Sequence, residues 1–133
     1  MSRRSRVFLQ LHGETFARRY QVASLAITAA AAGDQVAVVL WFDALRRWCD
    51  GTFDQPGGGE DAAVAARHAG LGLPGPGEML REARALGARL LACETGVRLA
   101  GLDPVMAREM VDDVPGLQEI LANARDADLA LYV

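Results

Sequence analysis

Apolar residues follow two rhythms along this chain. Residues 7–12, Val-Phe-Leu-Gln-Leu-His, form a short β-prone run. Gly13 ends it, and Thr15 is placed to cap a following helix. Over residues 16–32, Phe16, Tyr20, Ala23, Ile27 and Ala30 recur at helical spacing, with Arg18 and Arg19 off that face. Gly33-Asp34 stops the helix. Residues 35–42, Gln-Val-Ala-Val-Val-Leu-Trp-Phe, are almost continuously apolar. Such a run predicts a strand covered on both faces, as in a parallel sheet. Strand, helix, strand in this order is a βαβ unit, whose crossover is right-handed almost without exception.

Further along, Asp43 can cap a short helix through Arg46 and Trp48. Residues 51–77 are rich in Gly and Pro and enclose a short alanine-rich helix over about 60–69. A helical pattern over 78–86 ends at Gly87, and Arg89-Leu-Leu-Ala-Cys93 is the third strand candidate. Residues 94–100 read as a short helix stopped by Gly101. Residues 106–114 fit either a strand or a helix. Residues 117–127 form a helix with Leu117, Ile120, Leu121 and Ala124 inward, and residues 128–133 form a last strand. Alternating strands and helices predict a three-layer α/β/α architecture with a mostly parallel sheet.

The length of 133 residues suits one domain, residues 1–133, with 51–77 as an insert. A net charge of -3 gives no pull toward nucleic acid or an anionic membrane surface. No secretory signal pattern opens the chain, and its most apolar helical stretch, 22–33, is too short to span a bilayer. These features predict a soluble, cytoplasmic protein. Every basic side chain is arginine. The absence of lysine excludes a Schiff-base lysine, a Walker-type phosphate lysine and a lysine general base.

Two cysteines, Cys49 and Cys93, and two histidines, His12 and His68, show no metal-ligand spacing, so no metal or cofactor is implied. Gly70-Leu-Gly-Leu-Pro-Gly75 matches a dinucleotide fingerprint as a string but follows a helical segment and contains Pro74. None of the three serines sits in a nucleophile elbow.

Ligands of open parallel sheets bind beyond the carboxyl ends of the strands. Three such ends supply candidates: His12 and Glu14; Trp41 and Asp43; Cys93, Glu94 and Thr95. Cys93 stands foremost because it falls where a strand hands over to a helix, whose N–H groups favour a thiolate. Glu94 opposes this by like charge unless it turns outward. His12, whose imidazole can give or take a proton, is the candidate acid or base. Cys49, late in a helix beside Trp48, reads as a packing residue.

The segment Leu90-Leu-Ala-Cys-Glu-Thr-Gly-Val-Arg-Leu-Ala-Gly-Leu-Asp103 resembles the cysteine strand, helix and Gly-Leu exit of the DsrE/DsrF-like family of small sulfur-relay proteins. Residues 7–32 and 116–133 are similar to that family's first strand and helix and its last helix and strand. The resemblance covers nearly the whole chain except the 51–77 insert. It implies a parallel five-stranded sheet and a homo-oligomer, often a trimer or hexamer. It further implies a cysteine, here Cys93, that carries sulfane sulfur as a persulfide between donor and acceptor proteins. Gly101 and Leu102 match the exit. Gly96 stands where many members place a second small polar residue or cysteine. Two other functions fit the same residues: a homo-oligomeric module binding a small ligand at the strand ends, and a thiol redox sensor in which Cys49 resolves an oxidised Cys93.

Overall fold

The computed structural model describes residues 4–133. Its frame is a βαβ unit: β1 (Arg6–Leu11), α1 (Phe16–Ala31) and β2 (Gln35–Leu40). The Thr15 side chain accepts from the Arg18 N–H and caps α1. Next come α2 (Phe42–Asp50), α3 (Glu60–Gly70), α4 (Pro76–Ala85) and β3 (Arg89–Leu91). The chain closes with α5 (Glu94–Leu99), α6 (Pro104–Met110), α7 (Leu117–Asp126) and β4 (Leu129–Tyr132). The sheet order is β3-β2-β1-β4, and every pairing is parallel.

Strand alternation divides the core. On one face, Val7, Leu9 and Leu11 of β1 line up with Val36, Val38 and Leu40 of β2 and with Leu90 of β3. Five helices contribute to this side, among them Val22 and Ala26 of α1, Leu45 of α2 and Leu80 of α4. Each fully buried leucine or valine here contributes roughly 1.5–3 kcal/mol. The other face presents Phe8, Val39, Leu91 and Cys93, joined by Ile120 of α7. Helix α3, inside the Gly/Pro-rich insert, has no buried residue and lies outside α1.

Three expectations need correction. First, the sheet has four strands among the described residues, not five. The position beside β3 is filled by a single parallel bridge, Leu91 to Asp113. The reason is local. The Asp112 N–H donates to Leu90 O, but the Leu90 N–H donates to the Asp112 carboxylate, so a side chain replaces a ladder bond. Burial would raise the Asp112 carboxyl, yet the Arg84 and Leu90 hydrogen bonds outweigh it and hold the group below the usual carboxylate range. Buried Pro115 then ends the run without a further donor.

Second, Arg19 is fully buried rather than off the inner face of α1. Its guanidinium donates to the carbonyls of Gly13, Phe53 and Gln55 at 2.6, 2.8 and 2.5 Å, and those partners make burial tolerable. The same bonds fasten the start of the insert to the β1–α1 turn. Third, Leu117 and Leu121 are exposed, at 59% and 51%, while Ile120 and Ala124 face the sheet. A single helix on that side buries only one narrow stripe.

Candidate functional site

The carboxyl edge of the sheet gathers most of the sequence candidates. Parallel register explains how. Val39 is level with Leu91, so two residues further on Trp41 is level with Cys93. Leu11 is level with Leu40, so His12 is level with Trp41. All three side chains belong to the face covered by α7. The result is a row, His12–Trp41–Cys93, running across β1, β2 and β3. Adjacent strands are about 4.8 Å apart, so His12 and Cys93 are separated by roughly 9–10 Å with the tryptophan between them.

Cys93 is the N-cap residue of α5 and is buried, at 3% exposure. Its neighbours include Val39, Leu91 and the half-buried Trp41. The Trp41 indole is fixed at both ends. Its Nε1–H donates to Gln10 Oε1 at 3.0 Å. Its ring lies against Gly96, where an added Cβ would stand 3.5 Å from Trp41 Cε3 and 3.8 Å from Cys93 Cβ. Residue 96 thus borders both the ring and the Cys93 side chain. The next residue, Phe42, has φ of 38°, a conformation that non-glycine residues rarely adopt and that stores local strain.

His12 is held by its backbone. Its N–H donates to Val133 O, and its carbonyl accepts from the Ala44 N–H, both at 2.9 Å. Its ring lies 5.1 Å from Phe42 and 5.8 Å from exposed Tyr132, centroid to centroid. The imidazole is thus part of an aromatic cluster and is not beside the thiol.

The remaining candidates have other partners. The Asp43 carboxylate pairs with Arg46 at 2.6 Å and Arg47 at 2.9 Å, and stands 3.8 Å from buried Arg19. Burial and the Arg47 charge lower the Arg19 pKa, and Asp43 works in the opposite direction. Asp43 therefore neutralises an arginine cluster. Glu94 turns outward to Arg98, 3.2 Å away, and so leaves the thiol side. Thr95 is exposed. Glu14 is also exposed and lies 3.9 Å from Arg18.

Cys49 sits elsewhere. It is half-buried against the five-helix side and lines a cavity of about 510 Å³ with Trp48, Phe53 and Met110. Burial, with help from Asp50, pushes its thiol above the ordinary range. A groove of about 700 Å³ runs at the opposite, amino end of the strands between Phe8, Arg89 and Asn123. Among the described residues no group of three or more His, Cys, Asp and Glu side chains is placed to hold a metal ion. No helix among them is long and apolar enough to cross a membrane.

Sequence reasoning missed Gln10, Gly96 and Tyr132 as parts of this edge. Gln10 carries a signal, being a polar side chain set between Leu9 and Leu11 in an apolar strand.

This fold has a solved counterpart. The ychN protein of E. coli matches it with a TM-score of 0.62, covering 98% of this chain and 100% of its own, at 17% identity. The chain has the ychN fold. At this identity the likeness is one of fold alone. No protein-family model and no curated protein matches the sequence.

Proposed function

We propose that this chain is a sulfur-relay protein that carries sulfane sulfur as a persulfide on Cys93. The carrying observation is the position of Cys93. It stands where a parallel strand turns into a helix, at the carboxyl edge of the sheet, the edge at which open parallel sheets generally bind ligands. In the reaction the Cys93 thiolate attacks the terminal sulfur of a donor persulfide. The donor's S–S bond breaks, the donor leaves as a thiol, and Cys93 becomes the persulfide. The proton given up by Cys93 balances the one taken by the donor, and no net oxidation occurs. An acceptor thiolate then repeats the exchange. Such chemistry suits the reducing cytosol, where thiols stay free.

A redox sensor resolved by Cys49 has less support. Cys49 packs into the five-helix side of the sheet and Cys93 into the α7 side. A disulfide requires Cα atoms within about 7 Å, and the sheet stands between these two. Incubation with a sulfane donor followed by intact mass should show one added sulfur atom, lost on reduction and absent in Cys93→Ala. Added sulfur that persists in Cys93→Ala, or none in wild type, would remove the relay and favour the ligand-binding module.

In this proposal the chain also works as a homo-oligomer, a trimer or hexamer. Support comes from β4, an edge strand of sequence Leu-Ala-Leu-Tyr with no charge and all four side chains exposed. Edge strands of monomers are usually guarded by charge, proline or a covering element. Leu131→Arg should therefore reduce the sedimentation coefficient to that of a smaller species at micromolar concentration. A wild-type chain already monomeric there would refute the assembly.

A further inference from the structure

Trp41 has features that a simple packing residue does not need. It is level with Cys93 on the neighbouring strand and faces the same side. Its indole is tied by a hydrogen bond to Gln10 on the strand beyond. Its ring lies against Gly96, where a Cβ would be in van der Waals contact with both the ring and Cys93 Cβ. The ring packs against the buried cluster that contains Cys93, which is 3% exposed. On the solvent side the ring continues into Phe42, 5.7 Å away, and from there to His12 and exposed Tyr132.

We infer that the Trp41 indole is a positioning residue that shields the Cys93 thiol and must swing off Gly96 before any reagent can reach it. The inference rests on the relay reading for its purpose, and on geometry alone for its substance. A closed ring keeps water and small oxidants from a thiol or persulfide, whose oxidation rate follows exposure. The movement is a rotation of the Trp41 side chain, next to Phe42, whose backbone is held at positive φ. The latch is the single hydrogen bond to Gln10. An incoming partner that engages the aromatic surface of Phe42, His12 and Tyr132 would compete for the same ring. Sulfur exchange would then be coupled to docking. The same ring also separates His12 from the thiol, so the imidazole can approach Cys93 only in the open arrangement.

The test uses the whole chain in a Cys49→Ala background, which leaves one thiol, with iodoacetamide as the probe. If the open state is populated at about 1–10%, removing the shield raises the labelling rate roughly 10–100-fold. Trp41→Ala should give that increase. Gln10→Leu, which keeps the ring but cuts its latch, should give a smaller one. Low urea should leave the wild-type rate unchanged, because only a side chain moves. A Trp48→Phe chain leaves Trp41 as the sole tryptophan, and labelling of Cys93 should shift its emission toward that of a solvated indole. Equal labelling rates in wild type, Trp41→Ala and Gln10→Leu would overturn the inference. A wild-type rate that climbs steeply with urea would do the same, because labelling would then follow global unfolding. Iodoacetamide carries no sulfur, so this result is independent of the relay. Fast labelling in Trp41→Ala, in a chain that never accepts sulfane sulfur, would keep the shield and discard the relay.

Discussion

Arg19→Ala should destabilise the chain by about 3–5 kcal/mol, the usual loss when one partner of a buried charge cluster is removed. Three hydrogen bonds to carbonyls disappear together, from Gly13, Phe53 and Gln55. Each carbonyl left dry costs about 1–3 kcal/mol unless water enters. Asp43 also loses a cation 3.8 Å away, although Arg46 and Arg47 remain on it. The Phe53 ring, 5.9 Å beneath the guanidinium, loses its cationic cover. Arg19→Lys should recover only part of the loss, because a point charge cannot serve three divergent acceptors as a planar fork does. Urea denaturation of both variants is the check. A loss below about 1 kcal/mol for Arg19→Ala would mean that the insert is held by something other than this side chain.

Gly13→Ala should be nearly as damaging, for a different reason. Gly13 has φ of +78°, and a Cβ there would stand 2.5 Å from Ala44 Cβ and 3.0 Å from Ala44 Cα. The left-handed backbone costs a non-glycine residue about 1–2 kcal/mol. Forcing a methyl group into the first turn of α2 adds about 1–3 kcal/mol. Gly33→Ala is the internal control. Its φ is +91°, but nothing lies within 4 Å of the added carbon. The excess loss at Gly13 over Gly33 in urea denaturation isolates the clash. Similar losses at both would show that α2 yields easily and that the strand-end turn is less tightly set than the geometry indicates.

Much of the frame was legible because it depends on short-range rules. The apolar run of β2 marked a strand buried on both faces, and Gly33, Gly87 and Gly101 ended elements where the structure ends them. Placing Cys93 between a strand and a helix needed only the change of rhythm around residue 93. The failures concern lateral placement, which periodicity does not encode. His12 and Cys93 were both read as strand-end residues, and both are. Whether they touch depends on the order β3-β2-β1, which puts Trp41 between them. Helical spacing puts Arg19 off the apolar face, yet its guanidinium is drawn inward by the Gly13 carbonyl of the preceding turn and by those of Phe53 and Gln55 in the insert. The fifth strand was expected where Asp112 substitutes its carboxylate for a backbone group. The exposed Leu117 and Leu121 reflect the same limit. A helical stripe says which side chains share a face, and not how wide a surface the sheet offers to cover it.

The strand order has a consequence for synthesis. β1 is an interior strand, but its second neighbour, β4, is the last element of the described chain. The Arg6 N–H waits for an Asp128 carboxylate 122 positions later. At about 5–20 residues per second, a ribosome leaves one side of β1 open for roughly 5–20 s after β2 has emerged. During that interval an apolar parallel edge is available to any other nascent chain. Codon-level pauses after residue 40 would lengthen the exposure, whereas chaperone capture of residues 6–11 would relieve it. The yield of folded protein during expression should therefore respond more to translation speed than the modest size of the chain suggests.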